Sequence, residues 1–126
     1  MKRVTGIGGV FFKCKDPEAT KQWYERHLGI PASKWGHSFN WSDGYEGKEN
    51  KGCTAWTTFS EGTKHFGDGP QEFMINYRVD DLKGLLEALQ SEGVTVLGEI
   101  AEYEYGKFAH ILDCDGRKVE LWEPAE

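Results

Sequence analysis

The feature that most constrains this chain is a pattern stated twice. From Ile7 the sequence alternates as an extended segment, with Val10, Phe12 and Cys14 on one face and Phe11 and Lys13 on the other. Asp16-Pro17 then signals a helix start, a capping carboxylate with proline at the first helical position. Ala19, Trp23, Tyr24 and His27 follow at helical spacing, and Gly29 offers the left-handed stop. The same grammar returns 65 residues on, counted from Asp16 to Asp81. There Ile75, Tyr77 and Val79 alternate with Met74, Asn76 and Arg78, and Asp80-Asp81 supplies the cap. Leu82, Leu85, Leu86 and Leu89 form a strong apolar stripe, and Gly93 closes it. Strand, cap, helix and glycine in one order twice define an internal repeat.

Short extended stretches follow each helix. In the first half they are roughly residues 34–41, in one piece or two, and 53–59, separated by the turn-rich SDGYEGKENKG. In the second half they are 94–97, 105–112 and 118–123, the last two joined by the Asp113-Cys114-Asp115-Gly116 turn. Each half therefore reads β-α-β-β-β, over about 5–59 and 72–123, with residues 60–71 linking them in a single domain spanning 1–126. Neither half is expected to bury both faces of its sheet alone.

Composition narrows the function. The net charge is −6 with no clustered Lys/Arg stripe, which argues against nucleic acid as a partner. Three cysteines without a C-x-x-C pair fit neither a disulfide framework nor a zinc ribbon and suit a reducing cytoplasm. No apolar run is long enough for a membrane span or patterned as a signal peptide, so no membrane association is expected. Gly6-Ile7-Gly8-Gly9 opens a strand and not a helix, so it is not a dinucleotide loop, and no G-x-S-x-G elbow exists.

GGVFFKCKDPEATKQWYERHLGI, INYRVDDLKGLLEAL and the closing DCDGRKVELWEP resemble the glyoxalase, bleomycin-resistance and extradiol-dioxygenase (vicinal oxygen chelate) superfamily, over essentially the whole chain. The resemblance implies an α+β fold in which two βαβββ repeats build a cupped, eight-stranded mixed-sheet half-barrel with helices outside. It also implies metal-ligand positions on the first and last strand of each half. Here those positions hold Gly9, Thr54 or Trp56, Met74 and Glu120. Only Glu120 is a ligand type, and one carboxylate is far from the donor set a divalent ion takes, so no metal or other cofactor is expected.

Glu120 is the centre of the candidate site, as a proton-transfer group or as an anchor for a ligand. With the turn centred near Asp115, His110 pairs across two strands with Glu120 and shares its face; a one-residue slip sends it to the helix side. Phe11, Trp56, Met74 and Trp122 would wall the cup, Asn76 would orient a ligand, and Tyr105 would reach the rim beside Tyr103. His37 and His65 are expected in solvent. The favoured reading is a metal-independent protein that binds a small, partly apolar or cationic molecule, as a homodimer by family resemblance. The alternatives are a metal-independent lyase or isomerase of glyoxalase type using Glu120 as base, with His110 or Asn76 stabilising an oxyanion, and a non-catalytic structural or regulatory module.

Overall fold

The structure, a computed structural model, describes residues 3–31, 33–41 and 52–125. Its element order is β1 (Val4–Cys14), α1 (Pro17–Leu28), β2 (His37–Asn40), β3 (Cys53–Ser60), β4 (Phe73–Val79), α2 (Leu82–Ser91), β5 (Val96–Tyr103), β6 (Gly106–Leu112) and β7 (Lys118–Pro124). The chain divides into two compact units, a C-terminal one of residues 1–8 and 74–126 and an N-terminal one of residues 9–73. Strand β1 contributes its start to the former and the rest to the latter.

The fold is α+β with mixed pairing. In the C-terminal unit β4 runs parallel to β7, β7 pairs antiparallel with β6, and β6 antiparallel with β5. Leu82, Leu85 and Leu86 are buried against Val79, Ala109 and Leu121, with Tyr77, Leu89, Ile111 and Val119 packed around them. Each buried leucine contributes roughly 1.5–3 kcal/mol. The stripe and the alternation therefore meet as expected: Tyr77 and Val79 face α2. The helix begins where Asp81 Oδ1 accepts from the Gly84 N–H at 3.0 Å. The Leu82 N–H, one of the helix's otherwise orphaned donors, is satisfied by Glu123 Oε1 at 2.8 Å.

In the N-terminal unit β1 runs parallel to β3 and β2 antiparallel to β3. Asp16 caps α1 by accepting from the Ala19 N–H at 3.2 Å, and Gly29 ends it at φ 70°. Two expectations change here. The described residues carry seven strands, two of them between α1 and β4, and residues 42–51 lie outside the described residues, so an eighth strand is not part of the described fold. The stretch expected to be extended from 34 starts instead at His37. The cause is a tight turn in which Ser33 and Gly36 exchange backbone hydrogen bonds at 2.8 and 3.2 Å. Gly36 sits at φ 136°, where any Cβ would collide with the Trp56 carbonyl. Buried Lys21 of α1 holds the turn by donating to the Lys34 carbonyl at 2.6 Å.

The β6–β7 hairpin is set by Asp113. Its Oδ1 accepts from the backbone N–H groups of Asp115 and Arg117, both at 2.9 Å, and Gly116 takes φ 83°. The Arg117 and Asp115 N–H groups, with the Arg117 guanidinium, hold the Asp113 carboxyl below its usual 3.8. A carboxyl with a lowered folded-state pKa stabilises the fold above its unfolded value and stops doing so as pH falls through the folded one. Asp113→Ala is therefore expected to lower the Tm at pH 7, with the gap to the parent closing as pH drops below 3.8, as thermal melts across pH 2–7 would check.

Candidate functional site

Three strands of the C-terminal unit bring three polar side chains into one row. Asn76 on β4 is in register with Glu120 on β7, and Glu120 is in register with His110 on β6. Because alternate residues share a face, all three project from the side opposite α2. Asn76 Nδ2 donates to Glu120 Oε1 at 2.7 Å, and His110 Nε2 lies 2.8 Å from Glu120 Oε2. The expected His110–Glu120 pairing is the register the hairpin adopts.

The two members of the pair differ in exposure. The Glu120 side chain is 6 % accessible and that of His110 is 22 %. A buried carboxylate must have its oxygens hydrogen-bonded, and here Asn76 and His110 each serve one. An ionised Glu120 can only accept, so in that state His110 Nε2–H is the donor of the short contact. The arrangement orients an imidazole with a carboxylate and presents the imidazole as the more accessible partner.

Gly8 is part of the same constellation. A Cβ there would lie 2.3 Å from Asn76 Oδ1 and 2.9 Å from the Trp122 ring, so only glycine lets the amide keep its place beside Glu120. Asn76 Oδ1 itself is buried with no hydrogen-bond partner among the described residues.

The remaining expected site residues are placed as follows. Trp122 shares Glu120's face, and its indole stacks parallel to Phe108 at 5.9 Å. Phe108 is a wall residue that the sequence reading omitted, although its i, i+2 spacing to His110 was the signal that marks it. Tyr105 is exposed, stacked on Tyr103, and accepts through its carbonyl from Trp122 Nε1 at 3.1 Å. Met74 is 1 % exposed, so it backs the site instead of lining it.

Phe11 and Trp56 belong to the N-terminal unit. Phe11 packs on Phe59 at 5.7 Å. Trp56, expected beside Phe11, instead packs against Phe12 and Tyr24 of α1 at 5.5 and 5.2 Å, because β3 pairs Trp56 with Val10 and so commits it to the helix side. Thr54 accepts from Trp41 Nε1 at 2.8 Å. His65, expected in solvent, is half-buried with its ring stacked 5.2 Å from Phe59. A surface groove of about 570 Å³ between the end of β1 and the start of α1 is lined by Lys13, Lys15, Trp23 and Tyr24 among others, and holds no imidazole.

A metal would be held here by imidazole and carboxylate. His110 and Glu120 offer two such donors in the C-terminal unit, where zinc takes about four ligands, and the other family positions in this unit and the N-terminal one, Met74 and Gly9, offer a buried thioether and no side chain.

The family model of the Glyoxalase/Bleomycin resistance protein/Dioxygenase superfamily matches residues 6–121. No curated protein matches the chain. Among solved structures, methylmalonyl-CoA epimerase from Mycobacterium tuberculosis is similar at TM-score 0.66 and 23 % identity, over 98 % of this chain and 90 % of that one. A single-residue variant of Streptomyces coelicolor methylmalonyl-CoA epimerase, in complex with 2-nitronate-propionyl-CoA, is similar at TM-score 0.74 and 17 % identity, over 98 % and 99 %. The crystal structure described as NAD-dependent benzaldehyde dehydrogenase from Legionella pneumophila is similar at TM-score 0.60 and 11 % identity, over 93 % and 98 %. At these identities the likeness is one of fold.

Removing the Glu120 carboxylate takes the acceptor from buried Asn76 and the partner from half-buried His110. Glu120→Leu is expected to cost about 1–3 kcal/mol in unfolding free energy. Glu120→Gln, whose amide oxygen still accepts from Asn76, should cost less. Gly8→Ala should destabilise by displacing Asn76, and urea unfolding of the three variants would check the order.

Proposed function

The chain belongs to the glyoxalase/bleomycin resistance protein/dioxygenase superfamily, and from that premise we propose that it binds a small, partly apolar or cationic molecule at His110, without a resident metal. One observation carries this reading. Both Glu120 oxygens are engaged inside the protein, by Asn76 and by His110, so the carboxylate acts through the imidazole. Held by that carboxylate and more accessible than it, His110 is the polar group that a ligand's N–H, O–H or ammonium would meet. The Phe108–Trp122 pair beside it supplies apolar surface, and the net charge of −6 favours a neutral or cationic molecule over an anion.

Proton transfer is the second reading, favoured by the same 2.8 Å contact. An imidazole that receives a proton becomes an imidazolium facing Glu120, and a paired carboxylate stabilises that charge. This is the chemistry a metal-independent lyase or isomerase would use, with His110 as the group that meets substrate and Glu120 as the residue that holds it. It differs from the expectation that Glu120 is itself the base, because Glu120 is the less accessible of the two.

The experiment is a thermal-shift screen of small molecules, followed by calorimetry of each hit on the parent, His110→Ala and Glu120→Gln. Glu120→Gln removes the carboxylate that orients the His110 ring, so a ligand that needs His110 should bind about 10-fold or more weakly. A binder loses affinity only. An isomerase or lyase also loses turnover at temperatures where each variant is still fully folded. Native mass spectrometry of untagged protein measures metal content, and stoichiometric metal lost on His110→Ala would overturn the metal-free part of the reading. We also infer a homodimer, since β5 is an edge strand flanked by exposed Tyr103, and sedimentation equilibrium at twice the monomer mass of 14.3 kDa is the expected result.

A further inference from the structure

The N-terminal unit has a sheet face of its own, turned away from α1, and a cation stands on it. Phe12 and Trp56 pack on Tyr24 of α1 and so mark the helix side of β1 and β3. Alternation and register then put Phe11 and Lys13 on the opposite face, beside their β3 partners Thr57 and Phe59. Phe59 is the centre of an ordered set of rings there. Phe11 lies 5.7 Å from it, Phe66 5.3 Å, and His65 stacks on it at 5.2 Å and 6°. The Phe11 ring folds back over Gly9, where a Cβ would meet it at 2.7 Å. Ala55 and Thr57, the register partners of Gly9 and Phe11, stand beside the ring as short side chains.

Lys13 is half-buried, with Nζ 5.7 Å from the centroid of buried Phe66. Among the described residues its ammonium forms no ion pair. The described strand residues that share its face run alternately from Gly9 to Lys13, from Ser38 to Asn40 and from Cys53 to Phe59, and Lys13 is the one charged side chain in them. Six further charges lie close in the chain, Lys15 and Lys64 against Asp16, Glu61, Asp68 and Glu72. All six are exposed, where water and salt screen them, and Asp16 already accepts from the Ala19 N–H. The whole unit is nearly neutral: residues 9–73 hold eight Lys and Arg against nine Asp and Glu, so they carry −1 of the net −6. A group entering this face therefore meets, at contact distance, an ammonium that has lost part of its water. An aromatic ring restores some of that loss, and a carboxylate restores more, through a hydrogen bond roughly twice as strong as a neutral one.

We propose that this face binds a monocarboxylate with a compact apolar body: the carboxylate accepts from Lys13 Nζ, and the body lies on Phe11 and Phe59 beside Thr57. Phe59 is the register partner of Lys13, and Phe11 stands two residues before it, roughly 7 Å along β1. Charge and apolar surface thus fall within reach of one small molecule. The site uses none of Asn76, Glu120 and His110, so it stands or falls apart from the reading of that row.

Four probes separate the contributions: benzoate, benzamide, which keeps the ring without the charge, benzylamine, which reverses the charge, and acetate, which keeps the charge without the ring. Each is titrated to about 10 mM, above the millimolar Kd of a fragment of this size, into the parent and into Lys13→Met, which keeps an apolar stem. The backbone amide resonances of Phe11, Lys13 and Thr57 are followed by NMR. Benzoate should shift them saturably and bind about 10-fold more tightly than benzamide and than acetate, and benzylamine should bind weakest. Lys13→Met, with the rest of its amide spectrum unchanged, should lower benzoate to the level of benzamide. Benzoate no tighter than benzamide or acetate, tight benzylamine, shifts that do not saturate, or a folded Lys13→Met that keeps its benzoate affinity each overturns the proposal. The probe series on the parent decides the matter even where Lys13→Met fails to fold. Screening hits that need His110, in a protein that ignores benzoate, would overturn this site and leave the His110 reading standing. Saturable benzoate binding that needs Lys13, with every hit indifferent to His110→Ala, would do the reverse.

Discussion

A carboxylate at 4 % exposure is tolerable only where the protein replaces the water it has lost. Glu120 meets that requirement across a sheet. Its two flanking strands each bring one donor to it, Asn76 from β4 and His110 from β6, and both arrive through direct register partners. The parallel β4–β7 ladder and the antiparallel β6–β7 ladder must therefore both be correct for the charge to be compensated. A slip of one residue in either would turn a donor to the other face and leave Glu120 buried without it. The same slip would drag Leu121 or Ala109 out of the core under α2. The polar row and the leucine core are two readouts of one register, and each enforces the other.

Membership of the superfamily sets the scaffold, while the chemistry belongs to the side chains on it. The fold likeness to epimerases leaves that chemistry open: Gly9 and Met74 stand at two of the positions where the family resemblance implies ligands, and Met74 is sealed from solvent. What the C-terminal unit offers is an imidazole aimed by a carboxylate, next to ordered aromatic faces. Gly8 and Gly106 matter for the same reason at the two ends of this surface: each is a place where one methyl group would push aside a side chain the site is built from.

Some of this was legible in the order of residues. Asp81, the leucine stripe and Gly93 define α2 because caps and periodicity are local properties. The His110–Glu120 contact was also readable, because the turn around Gly116 is short and counting outward from it sets the pairing. Asn76 is different. It lies 44 residues from Glu120 and reaches it through a parallel pairing, which no turn length specifies. Trp56 shows the same limit: Thr54 and Trp56 share a face by alternation, but which face is decided by the pairing of Trp56 with Val10.

The sequence by itself determined the repeat, the caps, the helical stripe, the closing hairpin and hence the superfamily, because each depends on neighbours within a few residues. Tertiary structure decided what the carboxylate does. Burial made Glu120 dependent on donors from two other strands, and their arrival made His110, more accessible than its partner, the group that faces outward. It also decided that a stretch expected to extend from residue 34 turns at Gly36, where Lys21 ties down the Lys34 carbonyl and the Trp56 carbonyl leaves no room for a Cβ. Local chemistry chooses the elements; the cost of leaving a buried polar group unpaired chooses how they meet.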